Sequence, residues 1–96
     1  MSHIQSSFKR NENILERDVD GQFFLIDNER GKIHALDPFA VGIWRLLENP
    51  VSVNDIVAVF LSAFPERQPK EIRRHIDQFV ATLKRADLAL ETDAGS

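Results

Sequence analysis

Short apolar runs separated by turn residues occupy the first half of the chain, a pattern typical of strands joined by hairpins. The runs predict strands over residues 14–19, 22–27 and 32–36. Asp20 and Gly21 suit the first turn because both residue types tolerate a positive φ, and Gly31 suits the second turn for the same reason. The near-continuous apolar stretch 23–26 predicts a middle strand covered on both faces. The three strands together predict an antiparallel meander.

Apolar residues at helical spacing occupy the second half of the chain. They predict helices over residues 38–48, 53–64 and 69–86. Asp37 and Pro38 mark the first helix start, because a carboxylate can cap free amides and proline needs no amide donor at the first position. Ser52, followed three residues later by an acidic residue, has the spacing of a capping box. Leu88 and Leu90 close an α+β domain in which a three-stranded antiparallel sheet precedes three helices.

The meander order places the strand at residues 32–36 at an edge of the sheet, with one row of unpaired backbone amides and carbonyls. That row can pair with another extended peptide. It can also pair with a second copy of this chain, so a homodimer with paired or exchanged strands is an alternative. Residues 1–13 are polar, and their apolar residues follow neither the spacing of a strand nor that of a helix. We therefore expect a flexible N-terminal tail, in which Phe8 is able to dock on the domain. The domain is expected over residues 14–90, followed by a C-terminal tail over residues 91–96.

Composition excludes several classes of protein. The 96 residues are enough for one domain with a modest core, carry a formal net charge of -3 and include no cysteine. The absence of cysteine excludes disulfide frameworks and thiolate metal sites. Without a signal peptide or an apolar run of roughly 20 residues, the chain is expected to be cytoplasmic and to have no membrane partner. The net negative charge argues against a nucleic-acid partner, because proteins that bind nucleic acid usually carry an excess of basic residues.

No group of residues has the spacing of a catalytic, metal or cofactor site. The three histidines, His3, His34 and His75, lie far apart in the sequence. The glycines stand alone, and the serines lack the context of a nucleophile elbow. We therefore expect no enzyme activity, no metal and no cofactor. Trp44 lies on the apolar face of the first helix, where a place in the core is the stronger interpretation than a ligand-stacking role.

Basic residues in the third helix need an explanation. Lys84 and Arg85 complement the helix dipole at the C-terminal end, but Arg73 and Arg74 lie in the first turns, where positive charge is unfavourable. A groove that attracts an acidic peptide explains Arg73 and Arg74. The apolar stripe of this helix is flanked by Val80, Arg73, Lys84 and Asp77 on one side and by His75, Thr82 and Ala86 on the other.

The order and spacing of several short runs resemble the PqqD family. The runs are Phe-Phe-Leu-Ile-Asp (23–27), Ile-His-Ala-Leu-Asp-Pro-Phe-Ala-Val-Gly-Ile-Trp-Arg-Leu-Leu (33–47), Val-Ser-Val-Asn-Asp-Ile-Val (51–57), and Ile72, Ile76, Phe79, Val80, Leu83 and Leu88. The similarity covers residues 14–90. It implies a small winged-helix-like domain, also called a RiPP recognition element. Such a domain is a non-catalytic module that captures the leader of a ribosomally synthesised precursor peptide and presents it to a modifying enzyme.

The resemblance also implies where the leader binds. The leader adds as a further strand to the strand at residues 32–36 and lies beside the third helix. The implied peptide-binding residues are Lys32, Ile33, His34, Ala35, Leu36, Arg73, Ile76, Asp77, Val80 and Lys84. Arg73 and Lys84 are expected to meet acidic residues of the leader. The implied partner enzyme is a radical-SAM enzyme or a leader peptidase.

Some positions depart from the namesake members of the family. Asp87 stands where a glycine usually precedes the closing leucine, and residues 26–31 replace the usual Leu-Tyr-Pro-Glu-Gly. The chain therefore fits a lasso-type or other modified-peptide pathway as well as it fits the synthesis of pyrroloquinoline quinone.

The alternative is a winged-helix DNA-binding or transcription-associated module, because three helices and a small sheet can also read a major groove. The basic residues of the third helix could contact phosphates. The acidic residues of the sheet would repel the duplex beside them, and this repulsion favours the peptide-binding interpretation.

Overall fold

The computed structural model describes residues 6–92. Within this range the strands are β1 (Ser7–Arg10), β2 (Leu15–Val19), β3 (Gln22–Asp27), β4 (Lys32–Leu36), β5 (Val51–Ser52) and β6 (Ala89–Thr92). The helices are α1 (Pro38–Leu46), α2 (Val53–Ala63) and α3 (Pro69–Arg85). The α+β class is confirmed, and each helix begins at the predicted residue and ends one or two residues earlier than predicted. None of these three helices has the length and apolar character needed to cross a membrane.

The predicted meander is present as an antiparallel sheet in the order β2-β3-β4. Asp20 and Gly21, at the β2–β3 turn, have φ angles of 53° and 81°, as the turn prediction required. Burial alternates along β3, where Leu25 is fully buried and Phe24 and Ile26 are only half-buried. The prediction that β3 is covered on both faces is therefore wrong, because the neighbouring elements cover one face fully and the other face only in part.

A second antiparallel sheet, in the order β5-β1-β6, was not predicted. Its central strand is β1, so the flexible tail expected over residues 1–13 is wrong for residues 7–10. Phe8 is buried, as its predicted docking requires. The polar pattern concealed this strand because β1 pairs with residues 89–92, far away in the sequence. Those pairs also place residues 91 and 92 in β6, while residues 1–5 and 93–96 of the predicted tails lie outside the described range.

Local signals explain where the first two helices begin. The Asp37 carboxylate accepts a hydrogen bond from the Ala40 amide at 2.8 Å, and Pro38 occupies the first turn of α1. Ser52 and Asp55 cap α2 reciprocally, with both hydrogen bonds at 3.1 Å. The predicted capping box is therefore confirmed.

The hydrophobic core lies between the helices and the inner face of the meander sheet. Its fully buried large side chains are Trp44, Leu25, Ile43, Leu47, Ile56, Ile76, Leu83 and Leu88. The indole Nε1 of Trp44 donates a hydrogen bond to the Glu16 carboxylate at 2.8 Å, and the guanidinium of Arg10 lies 5.1 Å from the centre of the Trp44 ring. The predicted core position of Trp44 is confirmed. Its polar nitrogen is paired, which removes the cost of burying it.

Candidate functional site

Strand β4 and helix α3 lie side by side and run in opposite directions. Arg30, just before β4, donates a hydrogen bond from its Nη1 to the Ala86 carbonyl at 2.9 Å, at the end of α3. At the other end, the ring centre of Phe39, just after β4, lies 5.9 Å from that of His75 in the first half of α3. These two links place one flank of α3 along the free edge of β4.

The edge of β4 that faces away from β3 has no strand paired to it within residues 6–92. Alternate side chains of β4 point to opposite faces of the sheet. Leu36 and His34 pair with Phe23 and Leu25 on the inner face, whereas Ile33 and Ala35 lie on the outer face. The expected edge at residues 32–36 is therefore present, with a row of backbone groups available for another strand.

A groove of about 450 Å³ lies where β4 leads into α1 and meets α3. It is lined by Asp37, Phe39, Ala40, Arg67, His75, Gln78, Phe79 and Thr82. Phe39, Ala40 and Phe79 supply apolar surface, and the remaining residues supply polar groups. The ring of Phe39 packs against the buried Phe60, with centroids 4.7 Å apart. The groove therefore has a supported apolar floor and a polar rim, which suits an extended peptide with alternating side chains.

Polar contacts join the β3–β4 turn to the C-terminal end of α3. Besides its bond to Ala86, Arg30 forms an ion pair with the Asp87 carboxylate, and the hydrogen bond and charge of Asp87 raise the pKa of Arg30. Asp87 has a φ of 56°, in the left-handed region. Its amide donates to the Lys84 carbonyl and the Leu88 amide to the Leu83 carbonyl, the two bonds of a Schellman motif. This motif ends α3 beside Arg30.

The five implied residues of α3 do not line this groove. Ile76 is fully buried and Val80 is 3% exposed, so both belong to the core. The other three, Arg73, Asp77 and Lys84, lie on the opposite flank of α3. The structure therefore does not bring this flank together with β4, because the core stripe of α3 separates the two sides of the helix.

Contacts with other elements show what the opposite flank faces. The Arg73 guanidinium donates to the Asn54 side-chain oxygen at 2.5 Å, in the first turn of α2. The Lys84 ammonium lies 3.3 Å from the Glu91 carboxylate and 5.1 Å from the centre of the Phe8 ring. A hydrogen bond from Ser6, together with the bond and charge of Lys84, lowers the pKa of Glu91. The basic residues of this flank thus have intramolecular partners that the sequence did not reveal.

The groove residues of α3 are His75, Gln78, Phe79 and Thr82. The helical pattern alone had already placed His75 and Thr82 on the second flank of the apolar stripe, but it contained no signal to choose between flanks. That choice depends on how α3 packs against α2 and β6. Within residues 6–92, no three His, Cys, Asp or Glu side chains are grouped closely enough to hold a metal ion.

Comparison with known proteins identifies similar chains. The family model for coenzyme PQQ synthesis protein D (PqqD) matches residues 22–89. No curated protein matches the chain. Among solved structures, a lasso peptide synthetase B1 complexed with the leader peptide has 26% sequence identity and a TM-score of 0.73, and the match covers 86% of this chain and 96% of that one.

Two further structures have the same fold. TbiB1 in complex with the TbiA(beta) leader peptide has 21% identity and a TM-score of 0.73, with 84% of this chain and 93% of that chain covered. The PqqD truncation of Methylobacterium extorquens PqqCD, a stand-alone RiPP recognition element, has 17% identity and a TM-score of 0.69, with 88% of each chain covered.

Proposed function

Because the chain belongs to the PqqD family, we propose that it is a non-catalytic module that binds the leader of a ribosomally synthesised precursor peptide. The observation that carries this proposal is the unpaired edge of β4 beside an apolar groove on α3. Two proteins of similar structure are described as complexes with leader peptides. The module acts by holding the leader while a separate enzyme modifies the precursor.

Strand addition supplies the attachment. The leader pairs with the backbone of residues 32–36 and extends the meander sheet by one strand, and its side chains alternate between the two faces. Side chains that point inward enter the groove between Phe39 and Phe79. Backbone pairing tolerates many sequences, so the groove provides the selection of one leader over another.

The polar rim of the groove gives the leader a further constraint. Arg67 and His75 lie on its wall, close to Asp37. Asp37 caps α1, and Arg67 is the cation of the groove that can meet an acidic side chain of the leader. That side chain would compete with Glu71, whose carboxylate lies 3.8 Å from the Arg67 guanidinium. Such an exposed pair contributes about 0–1 kcal/mol to affinity and acts mainly on the association rate.

We also propose the finer features of the partners. The enzyme that receives the leader is a radical-SAM enzyme or a leader peptidase, and the module works with it in the cytoplasm. One structural relative is described as the PqqD truncation of PqqCD and as a functional, stand-alone recognition element, which supports a module that is separate from the enzyme.

Amide chemical-shift titration tests the proposal. The labelled protein is titrated with a synthetic leader of the precursor encoded beside its gene, and with a DNA duplex as a control. We expect shifts in residues 32–36 and 75–82 with the leader and none with the duplex. Shifts confined to Phe8, Asp77 and Lys84 would contradict the groove. Shifts of α3 with DNA alone would support a DNA-binding module instead.

Matched variants locate the groove independently of the spectra. Phe79→Ala removes apolar surface from the groove and should raise the leader Kd about tenfold, which corresponds to about 1.4 kcal/mol. Phe64→Ala makes the same truncation at an exposed residue after α2, and Arg73→Ala removes a cation from the opposite flank. Both control variants should bind the leader as the parent does. Equal losses in Phe79→Ala and Phe64→Ala would refute the assignment.

A further inference from the structure

The outer face of the meander sheet is apolar. Paired residues on adjacent strands share a face, and the register places Leu15, Ile26 and Ile33 in one row and Arg17, Phe24 and Ala35 in the next. We call these six residues the outer sheet face. Leu15 is 40% exposed and Ile33 is 67% exposed.

This pattern is unusual for an antiparallel sheet with one solvated face, which normally alternates apolar residues inward with polar residues outward. Leu25 and Leu36 already fill the inner face, so the outer apolar residues do not contribute to the main core. Contiguous exposed apolar surface of this kind marks an interaction site. We propose that the outer sheet face is the docking surface for the enzyme that modifies the bound precursor, an inference that rests on the proposed function.

Continuity with the leader edge supports an enzyme as the occupant. A leader strand paired with β4 lies directly beside Ile33 and Ala35, and its outward side chains extend the same face. A protein seated on the outer sheet face therefore contacts the module and the leader together. The inner face offers no such arrangement, because helices cover it.

Charge distinguishes an enzyme from a second copy of this chain. Arg17 is the charged residue of the outer sheet face, and its Nη1 donates to the Glu16 carbonyl at 2.9 Å. No carboxylate within residues 6–92 forms an ion pair with it. If two copies packed face to face, two Arg17 side chains would lie in one apolar interface, and neither outer sheet face supplies a carboxylate to pair with them. The fitting partner is a surface with apolar residues and a carboxylate opposite Arg17.

The size of the face agrees with a contact that depends on the leader. Three strands of five residues occupy roughly 14 Å by 17 Å, or about 240 Å², and a leader strand adds about 80 Å². A stable interface buries about 800 Å² on each partner. The outer sheet face alone is thus too small for a stable dimer. It suits a transient contact that becomes stronger when the leader is bound.

Reconstituted modification of the precursor tests this inference. The assay contains this protein, the precursor and the modifying enzyme encoded beside it, with the protein at a concentration below saturation. The variants are Leu15→Asp and Arg17→Glu on β2, two strands away from the leader. Val59→Asp is the matched control, because it changes an equally exposed apolar residue on α2. Circular dichroism establishes that each variant is folded, and titration gives its leader Kd.

We expect both β2 variants to keep the parent leader Kd within about twofold and to lower the modification rate about tenfold, while Val59→Asp retains the parent rate. A parent rate in Leu15→Asp would overturn the docking surface. A dimer of the parent protein in sedimentation, lost in Leu15→Asp, would assign the face to a second copy. If the parent protein fails to bind the leader at all, the proposed function itself fails, so the two failures are distinguishable.

Discussion

Gly42 in α1 lies very close to the ring of Phe60. A methyl group added at position 42 therefore tests how tightly the residues beneath the groove are packed. A Cβ at position 42 would lie 3.2 Å from Phe60 Cζ. Ordinary carbon contacts are about 3.5–4.0 Å. Phe60 has little freedom to move, because it is buried and its ring packs 4.7 Å from that of Phe39 between centroids. The substitution Gly42→Ala therefore stabilises the helix locally and destabilises the packing against Phe60.

The two contributions are similar in size. Alanine in a helix interior is favoured over glycine by about 1 kcal/mol. Overpacking costs typically about 1–3 kcal/mol, and a single methyl belongs at the lower end of that range. We expect Gly42→Ala to change the free energy of unfolding by less than about 0.5 kcal/mol. In a Phe60→Leu background the aromatic Cζ is absent, so the same change should stabilise the protein by about 1 kcal/mol.

Urea denaturation of four proteins measures this difference: the parent, each single variant and the double variant. Fluorescence of Trp44, the single tryptophan of the chain, follows unfolding. The expected coupling energy is about 1 kcal/mol, within the usual range for residues in contact. Equal stabilisation by Gly42→Ala in both backgrounds would refute the contact. Equal loss in both backgrounds would mean that another neighbour restricts position 42.

Three further predictions concern the ends of α3 and the core. Asp87 has a positive φ, so Asp87→Gly should be about 1 kcal/mol more stable than Asp87→Ala in urea denaturation; equal stabilities would contradict the backbone argument. The pKa of Glu91 is lowered by the bond from Ser6 and by Lys84, so its contribution is present above the ordinary glutamate pKa and is lost as the pH falls through the lower folded value. The stability difference between the parent and Glu91→Gln should therefore shrink in acid, and a constant difference from pH 7 to pH 3 would disprove it. Trp44→Phe removes a buried donor and leaves a cavity, which should cost about 1–3 kcal/mol in thermal or urea unfolding, and a neutral result would show that the hydrogen bond adds no net stability.

Elements with local signals could be predicted from the sequence. The caps at Asp37 and Ser52 and the turn at Asp20 and Gly21 depend on residues only a few positions apart, and the structure contains all of them. The edge strand at residues 32–36 followed from the order of the meander. The family resemblance added the expectation of a peptide site at this edge, and that site stays a prediction.

The errors have a common origin in long-range pairing. Strand β1 has few apolar residues and becomes a strand because residues 89–92 and 51–52 provide its partners. Arg73 and Lys84 looked like free cations for a ligand, yet their partners Asn54 and Glu91 belong to other elements. No local pattern could reveal these contacts.

The sequence by itself determined the helices, the meander and the family, because caps, turns and hydrophobic periods act over a few residues. Only the tertiary structure decided which flank of α3 meets β4 and which face of β3 is left exposed. Both flanks and both faces carry plausible side chains, so the packing of α3 against α2 and β6 made the choice. The binding groove and the outer sheet face depend on that packing, since each combines residues that are distant in the chain.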